Sequence, residues 1–248
     1  MRTANPALNK KTFQDYTAGA AASNPMTIQG TVNITALLLC CLLVSAVWTW
    51  NMFYNSGNPD AVMPWMIGGA IGGFVVALIT VFKKTWSPIT APIYALLEGL
   101  FIGGISSIFE AKYPGIVIQA VGLTFGTLFG LLVAYKTGVI KATENFKLGV
   151  VAATGGIALI YFVSFILGFF GVGVPFIHES GLMGIGFSLF VVVIAALNLV
   201  LDFDFIEHGA EHGAPKYMEW YAAFGLMVTL VWLYIEILRL LAKLRDRR

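Results

Sequence analysis

The chain has 248 residues, of which 58% are hydrophobic and only 11% are charged. A soluble domain carries about 25% charged residues, so this chain lacks the polar groups needed to cover a water-exposed surface. The net charge of +2 gives no indication of a nucleic-acid partner. The composition therefore predicts an all-α integral membrane protein and argues against a soluble domain.

The first thirty residues are polar and contain no apolar stretch of the kind found in secretory signals. We expect residues 1–30 to form a flexible tail and the first apolar segment to remain as an uncleaved anchor. The two cysteines, Cys40 and Cys41, are adjacent within that segment, so no disulfide framework is available.

A membrane-spanning helix needs about 20 mostly apolar residues, and seven segments meet this requirement. In chain order they lie at about residues 31–53, 63–82, 88–109, 115–135, 148–170, 181 to beyond 201, and 218–241. Short loops join them. The sequence therefore predicts a compact seven-helix transmembrane domain at 31–242, followed by a basic tail at 243–248.

The positions of the cations predict the orientation of these helices. With alternating spans, one side receives Arg2, Lys10, Lys11, Lys83, Lys84, Lys136, Lys141, Lys147 and Lys216, whereas the other side's loops hold Lys112. We expect the N-terminus to be cytoplasmic, in a bacterial plasma (inner) membrane. Seven full spans place the basic tail on the opposite side, against the rule, so six spans with a re-entrant segment are the alternative.

Glycines recur at the four-residue spacing that lets helix backbones approach each other closely in lipid. The sets are Gly122, Gly126 and Gly130, then Gly68-Gly69 with Gly72-Gly73, then Gly99 with Gly103. The spacing predicts tight helix packing at all three sets, and a gating hinge is the second interpretation.

Carboxylates within the apolar segments are candidate functional groups, because charge inside a bilayer is costly. Glu98 lies near the middle of the third segment with no Lys or Arg within two turns. Asp202 and Asp204 end the sixth apolar run, and residues two apart point about 200° apart on a helix. Only one of these aspartates can therefore face the bundle interior, and Asp202 lies deeper.

Glu236 in the last segment has Arg239 three residues later, so an internal ion pair is the simplest interpretation of this acid. The segment from Glu207 to Pro215 contains two carboxylates and two histidines. Its glycines and proline predict a solvated loop rather than a metal site. His178-Glu179, in another loop, is a weaker metal candidate.

Three stretches of the chain together resemble the Bax inhibitor-1 family, also called the transmembrane Bax inhibitor motif family, in its bacterial members. They run from Tyr94 through Glu98 to Ser106, from Leu199 through Asp202 to Glu207, and from Leu233 through Glu236 to Leu241. The resemblance implies a seven-helix bundle with the last helix central, acting as a pH-sensitive calcium leak. It also implies that Asp202 and Glu236 form the acidic pH sensor and that Glu98 is the family's acid of the early helices.

The sequence departs from the family pattern in three ways. Glu236 stands where the family usually has Asp, the apolar bodies of the first six helices contain no arginine, and the connection between helices six and seven looks longer. With a turn near residues 209–215, Asp202 lies about 10 Å from it and Glu236 about 30 Å. Their pairing then needs helix tilt, a break near residues 222–225 or a displaced turn, and Glu219 is the alternative partner.

These residues support one main hypothesis and two alternatives. In the main hypothesis, Asp202 and Glu236, with Asp204 nearby, share a proton that holds helices six and seven closed. Loss of the proton opens a calcium path that includes Glu98 and Glu219, and Asp202 and Glu236 then bind calcium transiently. One alternative is a non-conducting membrane regulator, either a stress-survival factor or a modulator of a membrane protease, that acts through its tail. The other is a proton-coupled transporter of a small solute with a cavity near Glu98.

No motif of an ordinary enzyme occurs in the chain: there is no phosphate-binding glycine loop, nucleophile elbow or zinc-protease histidine pair. We therefore expect no enzymatic activity and no cofactor. The expected partners are the lipid bilayer, calcium as the permeant ion and other membrane proteins, whereas the sequence does not predict the oligomeric state.

Overall fold

The structure, a computed structural model, describes residues 24–171 and 181–247. Over these residues it contains seven helices that are long and apolar enough to cross a membrane. They are α1 (Ile28–Ser56), α2 (Met63–Phe82), α3 (Ser87–Lys112), α4 (Ile116–Lys136), α5 (Glu144–Phe169), α6 (Leu182–Glu211) and α7 (Met218–Asp246). The predicted all-α membrane fold is confirmed. All seven segments have the length of full spans, which favours seven spans over six.

Helix α5 begins earlier than its hydropathy predicts. The hydroxyl of Thr143 accepts a hydrogen bond from the backbone N–H of Phe146 at 3.3 Å, and Glu144 occupies the first turn. An oxygen cap and an acid both stabilise a helix N-terminus. Lys147 therefore lies inside the helix and is buried, so its predicted position in a loop was wrong.

Helix α6 extends beyond its apolar run and ends at Glu211. Glu207 and His208 are therefore helical, and the prediction of a loop starting at Glu207 was wrong. The turn to α7 occupies only residues 212–217, with Gly213 at φ 62°, so the connection is not long. Helix α6 extends beyond its apolar run because a helix can continue past the hydrocarbon region once water can solvate its polar side chains.

Helix α7 is continuous from Met218 to Asp246, with no break at residues 222–225. It is also the most buried of the seven helices, with 67% of its most apolar stretch inside the protein against 11–50% for the others. This burial agrees with the central position that the family resemblance implies for the last helix.

The contacts divide the chain into two compact units. Within the described residues, unit 1 contains residues 115–204 and 228–247, and unit 2 contains residues 24–114 and 205–227. Unit 1 therefore holds α4, α5, most of α6 and the second part of α7. Unit 2 holds α1, α2, α3, the end of α6 and the start of α7.

In unit 2, glycines bring helix backbones together as predicted. A Cβ atom added at Gly99 or Gly103 of α3 would collide with the backbone and hydroxyl groups of α1. A Cβ at Gly69 of α2 would collide with the backbone oxygen of Leu97 in α3. These close approaches confirm the set of Gly99 and Gly103. They confirm the second set only in part, because a Cβ atom at Gly68 would meet nothing within 4 Å among the described residues.

In unit 1, the glycines of α4 do not pack in this way. A Cβ atom at Gly122, Gly126 or Gly130 would meet nothing within 4 Å among the described residues. The prediction of tight packing at these three glycines was wrong for the chain as described. Their spacing places them on one helix face, but it does not specify whether that face points inward or outward.

Candidate functional site

Lys147 of α5 and Asp204 of α6 form a buried ion pair in unit 1. The Nζ atom lies 2.6 Å from Oδ2, and the side chains are 4% and 7% exposed. Glu144, one turn earlier on α5, also lies 3.9 Å from the Lys147 Nζ atom, but its side chain is exposed. Because a buried charge is costly without a partner, this pair ties the start of α5 to α6. The sequence pattern did not predict this pair.

Asp202 lies two residues before Asp204 and is only 2% exposed. Thr229 of α7 makes a side-chain hydrogen bond with it. The Oδ2 atom of Asp202 is buried and has no hydrogen-bond partner among the described residues. Buried polar atoms almost always have a partner, so this bare oxygen is an exception that calls for an explanation.

Asn198 extends the polar surface of α6 by one turn beyond Asp202. Its Nδ2 atom donates to the hydroxyl of Thr154 on α5 at 2.9 Å and to the Ile194 backbone oxygen at 2.8 Å. We call the set Asp202, Thr229, Asn198, Thr154 and the pair Lys147–Asp204 the Asp202 cluster. It joins α5, α6 and α7 through polar contacts within unit 1.

Glu236 lies in a second polar cluster of unit 1. The Tyr161 hydroxyl lies 3.1 Å from both carboxylate oxygens, and Arg239 Nη1 donates to Oε1 at 3.1 Å. Nearby, Lys243 Nζ donates to the hydroxyl of Ser188 at 2.8 Å and to the Gly184 backbone oxygen at 3.0 Å. We call Tyr161, Glu236, Arg239, Lys243 and Ser188 the Glu236 cluster. The predicted Glu236–Arg239 ion pair is present.

An apolar layer separates the two clusters. Its buried centre consists of Ile157 on α5 with Val191 and Ile194 on α6. Around this centre pack Ala153, Tyr161, Phe187, Leu197 and Trp232. On α5, Ile157 lies between Thr154 and Tyr161, so the order along the unit is polar, apolar and polar.

The structure does not bring Asp202 and Glu236 into a hydrogen bond with each other. Within the described residues, Asp202 contacts Thr229, whereas Glu236 contacts Tyr161 and Arg239. Glu236 lies two turns of the unbroken α7 beyond Thr229, about 10 Å further along the axis. The shared-proton pair, one part of the main hypothesis, is absent from this conformation.

Glu219, the alternative partner, is held by the segment that precedes α1 in unit 2. Its Oε1 atom accepts hydrogen bonds from the backbone N–H and the hydroxyl of Thr27, at 2.8 and 2.9 Å, and from Lys216 Nζ at 2.9 Å. Met26 N–H also donates to the Ala214 backbone oxygen at 2.7 Å. The start of α1 is thereby anchored at the turn between α6 and α7. A role for Glu219 in the ion pathway stays a prediction.

Glu98 lies on the face of α3 that packs against the glycines of α2. A Cβ atom at Gly73 would lie 3.1 Å from the Glu98 Oε2 atom. Glu98 belongs to unit 2, whereas Asp202 and Glu236 belong to unit 1. Its role in an ion pathway stays a prediction.

The structure offers no resident metal site in its described part. No group of three or more His, Cys, Asp or Glu residues there could hold a metal ion. His208 and His212 stack one turn apart, and His212 Nδ1 lies 2.7 Å from the His208 backbone oxygen. His178-Glu179 lies outside the described residues.

A cavity of about 720 Å³ opens beside the Glu236 cluster in unit 1. It is lined by Tyr161, Ser164, Phe165, Gly168, Phe169, Ser188, Glu236, Arg239 and Lys243. The proton-coupled transporter hypothesis expected a cavity near Glu98. This cavity lies at the acid of the last helix, and a cavity near Glu98 stays a prediction.

Seven long apolar helices that bury lysine, aspartate and glutamate side chains define a polytopic α-helical membrane protein. The family model described as Bax inhibitor 1 like matches residues 5–246. The match covers nearly the whole chain, so the protein belongs to this family, as the sequence resemblance predicted. No curated protein matches the chain significantly. No solved structure does so either.

Proposed function

We propose that the protein is a pH-sensitive calcium leak whose path runs through unit 1, and that it is not an enzyme. The observation that carries this proposal is the buried Oδ2 atom of Asp202, which has no partner in the described residues. A carboxyl group in a protein interior is either paired or neutral. Asp202 is therefore the group in this unit whose charge can change with the least loss of existing contacts.

The order of polar and apolar side chains along unit 1 supports a calcium path that is closed in this conformation. Calcium prefers oxygen ligands, and the Asp202 cluster supplies carboxylate, amide and hydroxyl oxygens along α5, α6 and α7. The layer of Ile157, Val191 and Ile194 separates this cluster from Glu236. Apolar constrictions of this kind close channels by excluding water, so we propose that the described conformation is the closed one.

Proton loss from Asp202 supplies the opening step. A neutral Asp202 is compatible with its buried position against Thr229. The charged form of Asp202 places a second negative charge two residues from Asp204. Lys147 is already paired with Asp204 at 2.6 Å. Hydration of the new charge requires water to enter between α6 and α7. This mechanism replaces the shared proton with a single titrating acid, and it predicts a flux that rises as pH rises.

The apolar layer gives a direct test. We expect Ile157→Ser to increase calcium flux into liposomes by roughly tenfold at low pH, because a hydroxyl in the layer lets water connect the two clusters. The matched control is Leu159→Ser, since Leu159 lies on the same helix but is exposed on its outer face. Equal flux in the two variants and the unchanged protein would contradict a path through this layer.

A non-conducting regulator is the second candidate, and the anchored start of α1 favours it. Met26 and Thr27, which follow residues 1–23 in the chain, are held at the turn between α6 and α7. A partner bound to that tail would act near Glu219. Truncation of residues 1–23, which retains the contacts of Met26 and Thr27, discriminates the two functions: a leak retains its flux in liposomes, whereas a tail-dependent regulator loses its partner.

A further inference from the structure

The cavity beside Glu236 combines polar groups with exposed aromatic rings. Tyr161, Ser164 and Ser188 supply hydroxyl groups, and Arg239 and Lys243 supply cations. Phe165 and Phe169 line the same cavity and are 65% and 75% exposed. A ligand that fills this space therefore meets hydrogen-bond donors on one side and apolar surface on the other.

The charge balance of the cavity favours an anion. Glu236 is the acid among its lining residues, whereas Arg239 and Lys243 are two cations. Arg239 is partly exposed and carries five N–H donors in a planar arrangement that fits phosphate oxygens. Its Nη1 atom donates to Glu236 at 3.1 Å. Part of this donor set therefore remains for a second anion.

These groups lie near the C-terminal ends of α5 and α7. Arg239 and Lys243 lie about 10 Å and about 5 Å before the end of α7 at Asp246. Phe165 and Phe169 occupy the last turn of α5. The chain from Arg239 to its end contains five cations and one acid, a composition typical of segments that bind anionic lipids.

We propose that this cavity binds the phosphate group of an anionic phospholipid, with Arg239 as the principal donor. Lys243 adds positive charge, and the hydroxyl of Ser164 lies in the same lining. The acyl chains lie on Phe165 and Phe169. Free phosphate has the same headgroup chemistry, but it makes no use of these exposed rings, so the lipid fits the whole cavity. The site borders the Glu236 cluster of the proposed calcium path, but lipid binding there does not depend on that path conducting calcium.

Native mass spectrometry of the full-length protein in a mild detergent tests the site. The probe is dioleoyl phosphatidylglycerol, with dioleoyl phosphatidylcholine as the neutral comparison and inorganic phosphate as a competitor. We expect the anionic lipid to bind preferentially with one tight site, and Arg239→Gln to weaken that site by about tenfold. The matched control is Arg247→Gln, because Arg247 is exposed and is not among the lining residues.

Each outcome of this experiment supports or overturns the proposal. Selective loss in Arg239→Gln, with partial recovery in Arg239→Lys, supports a site in the cavity. Equal weakening in Arg247→Gln overturns it, since the attraction is then a general effect of the basic tail. Equal binding of both lipids overturns it as well. Full displacement of the lipid by millimolar inorganic phosphate overturns the lipid assignment. Melting temperatures measured without added lipid identify any variant that loses binding only because it is misfolded.

Discussion

The two polar clusters of unit 1 lie on the same three helices, but their acids are satisfied in different ways. In the Glu236 cluster, Tyr161 contacts both carboxylate oxygens and Arg239 supplies a cation. In the Asp202 cluster, Lys147 pairs with Asp204, whereas Asp202 keeps a buried oxygen without a partner in the described residues. The difference shows that burial alone does not identify a sensor, because a buried acid with a cation already has its charge stabilised.

The largest expected effect on stability concerns Asp204, the acid that is paired with Lys147. We expect Lys147→Met to lower the free energy of unfolding by about 3–5 kcal/mol, because it leaves Asp204 buried without its cation. The double variant Lys147→Met with Asp204→Leu recovers most of that loss. Thermal unfolding in detergent measures both, with Lys141→Met as the control at an exposed lysine. A single variant as stable as the unchanged protein would show that the ion pair carries no structural role.

A smaller effect is expected in the other cluster. Arg239→Gln removes the cation of Glu236 but leaves the Tyr161 hydroxyl in place, and the Arg239 side chain is 44% exposed. After allowance for solvent screening, we expect a loss of about 1 kcal/mol in the free energy of unfolding. The same variant leaves Glu236 with Lys243 as its nearby cation, so its charge is less stabilised and the pH dependence of calcium flux broadens. Thermal unfolding measures the loss of stability, and calcium flux scanned across pH measures the broadening. An unchanged pH profile of the flux would contradict the expected broadening.

The smallest effect concerns a single hydroxyl. Tyr161→Phe removes the hydrogen bonds to Glu236 and keeps the ring that packs against Phe187. We expect a loss of about 1 kcal/mol or less in stability, because Arg239 still neutralises the acid. Chemical or thermal unfolding measures it. A loss as large as that in Lys147→Met would show that the two clusters are equally dependent on their donors.

The sequence predicted the seven spans because the hydrocarbon thickness requires about 20 apolar residues in each. It predicted the bounds of α2 at 63–82 as the structure has them. It missed the end of α6, because polar residues such as Glu207 and His208 mark the end of the hydrocarbon region and not the end of the helix. Hydropathy measures where a chain leaves lipid, whereas the helix continues wherever its backbone hydrogen bonds can form.

The candidate site was only partly accessible from the sequence. The acids Asp202, Asp204 and Glu236 were found because charge is rare in apolar segments. The Glu236–Arg239 pair followed from spacing along one helix. Lys147 was missed because its partner lies on another helix, and no local pattern specifies which helices are neighbours. The same reason explains the glycines, which occur at the same spacing. Gly99 packs against α1, whereas a Cβ atom at Gly126 would meet no neighbour within 4 Å in the described part of the chain.

Calcium flux into liposomes containing the purified full-length protein, scanned from about pH 5 to pH 8, tests most directly whether Asp202 is the sensor. The series compares the unchanged protein with Asp202→Asn and Glu236→Gln. We predict a flux that rises with pH by at most about tenfold per pH unit, as expected for one proton. Asp202→Asn should remove this dependence, and Glu236→Gln should retain it. A pH dependence that survives Asp202→Asn and disappears in Glu236→Gln would contradict the assignment and place the sensor on the last helix.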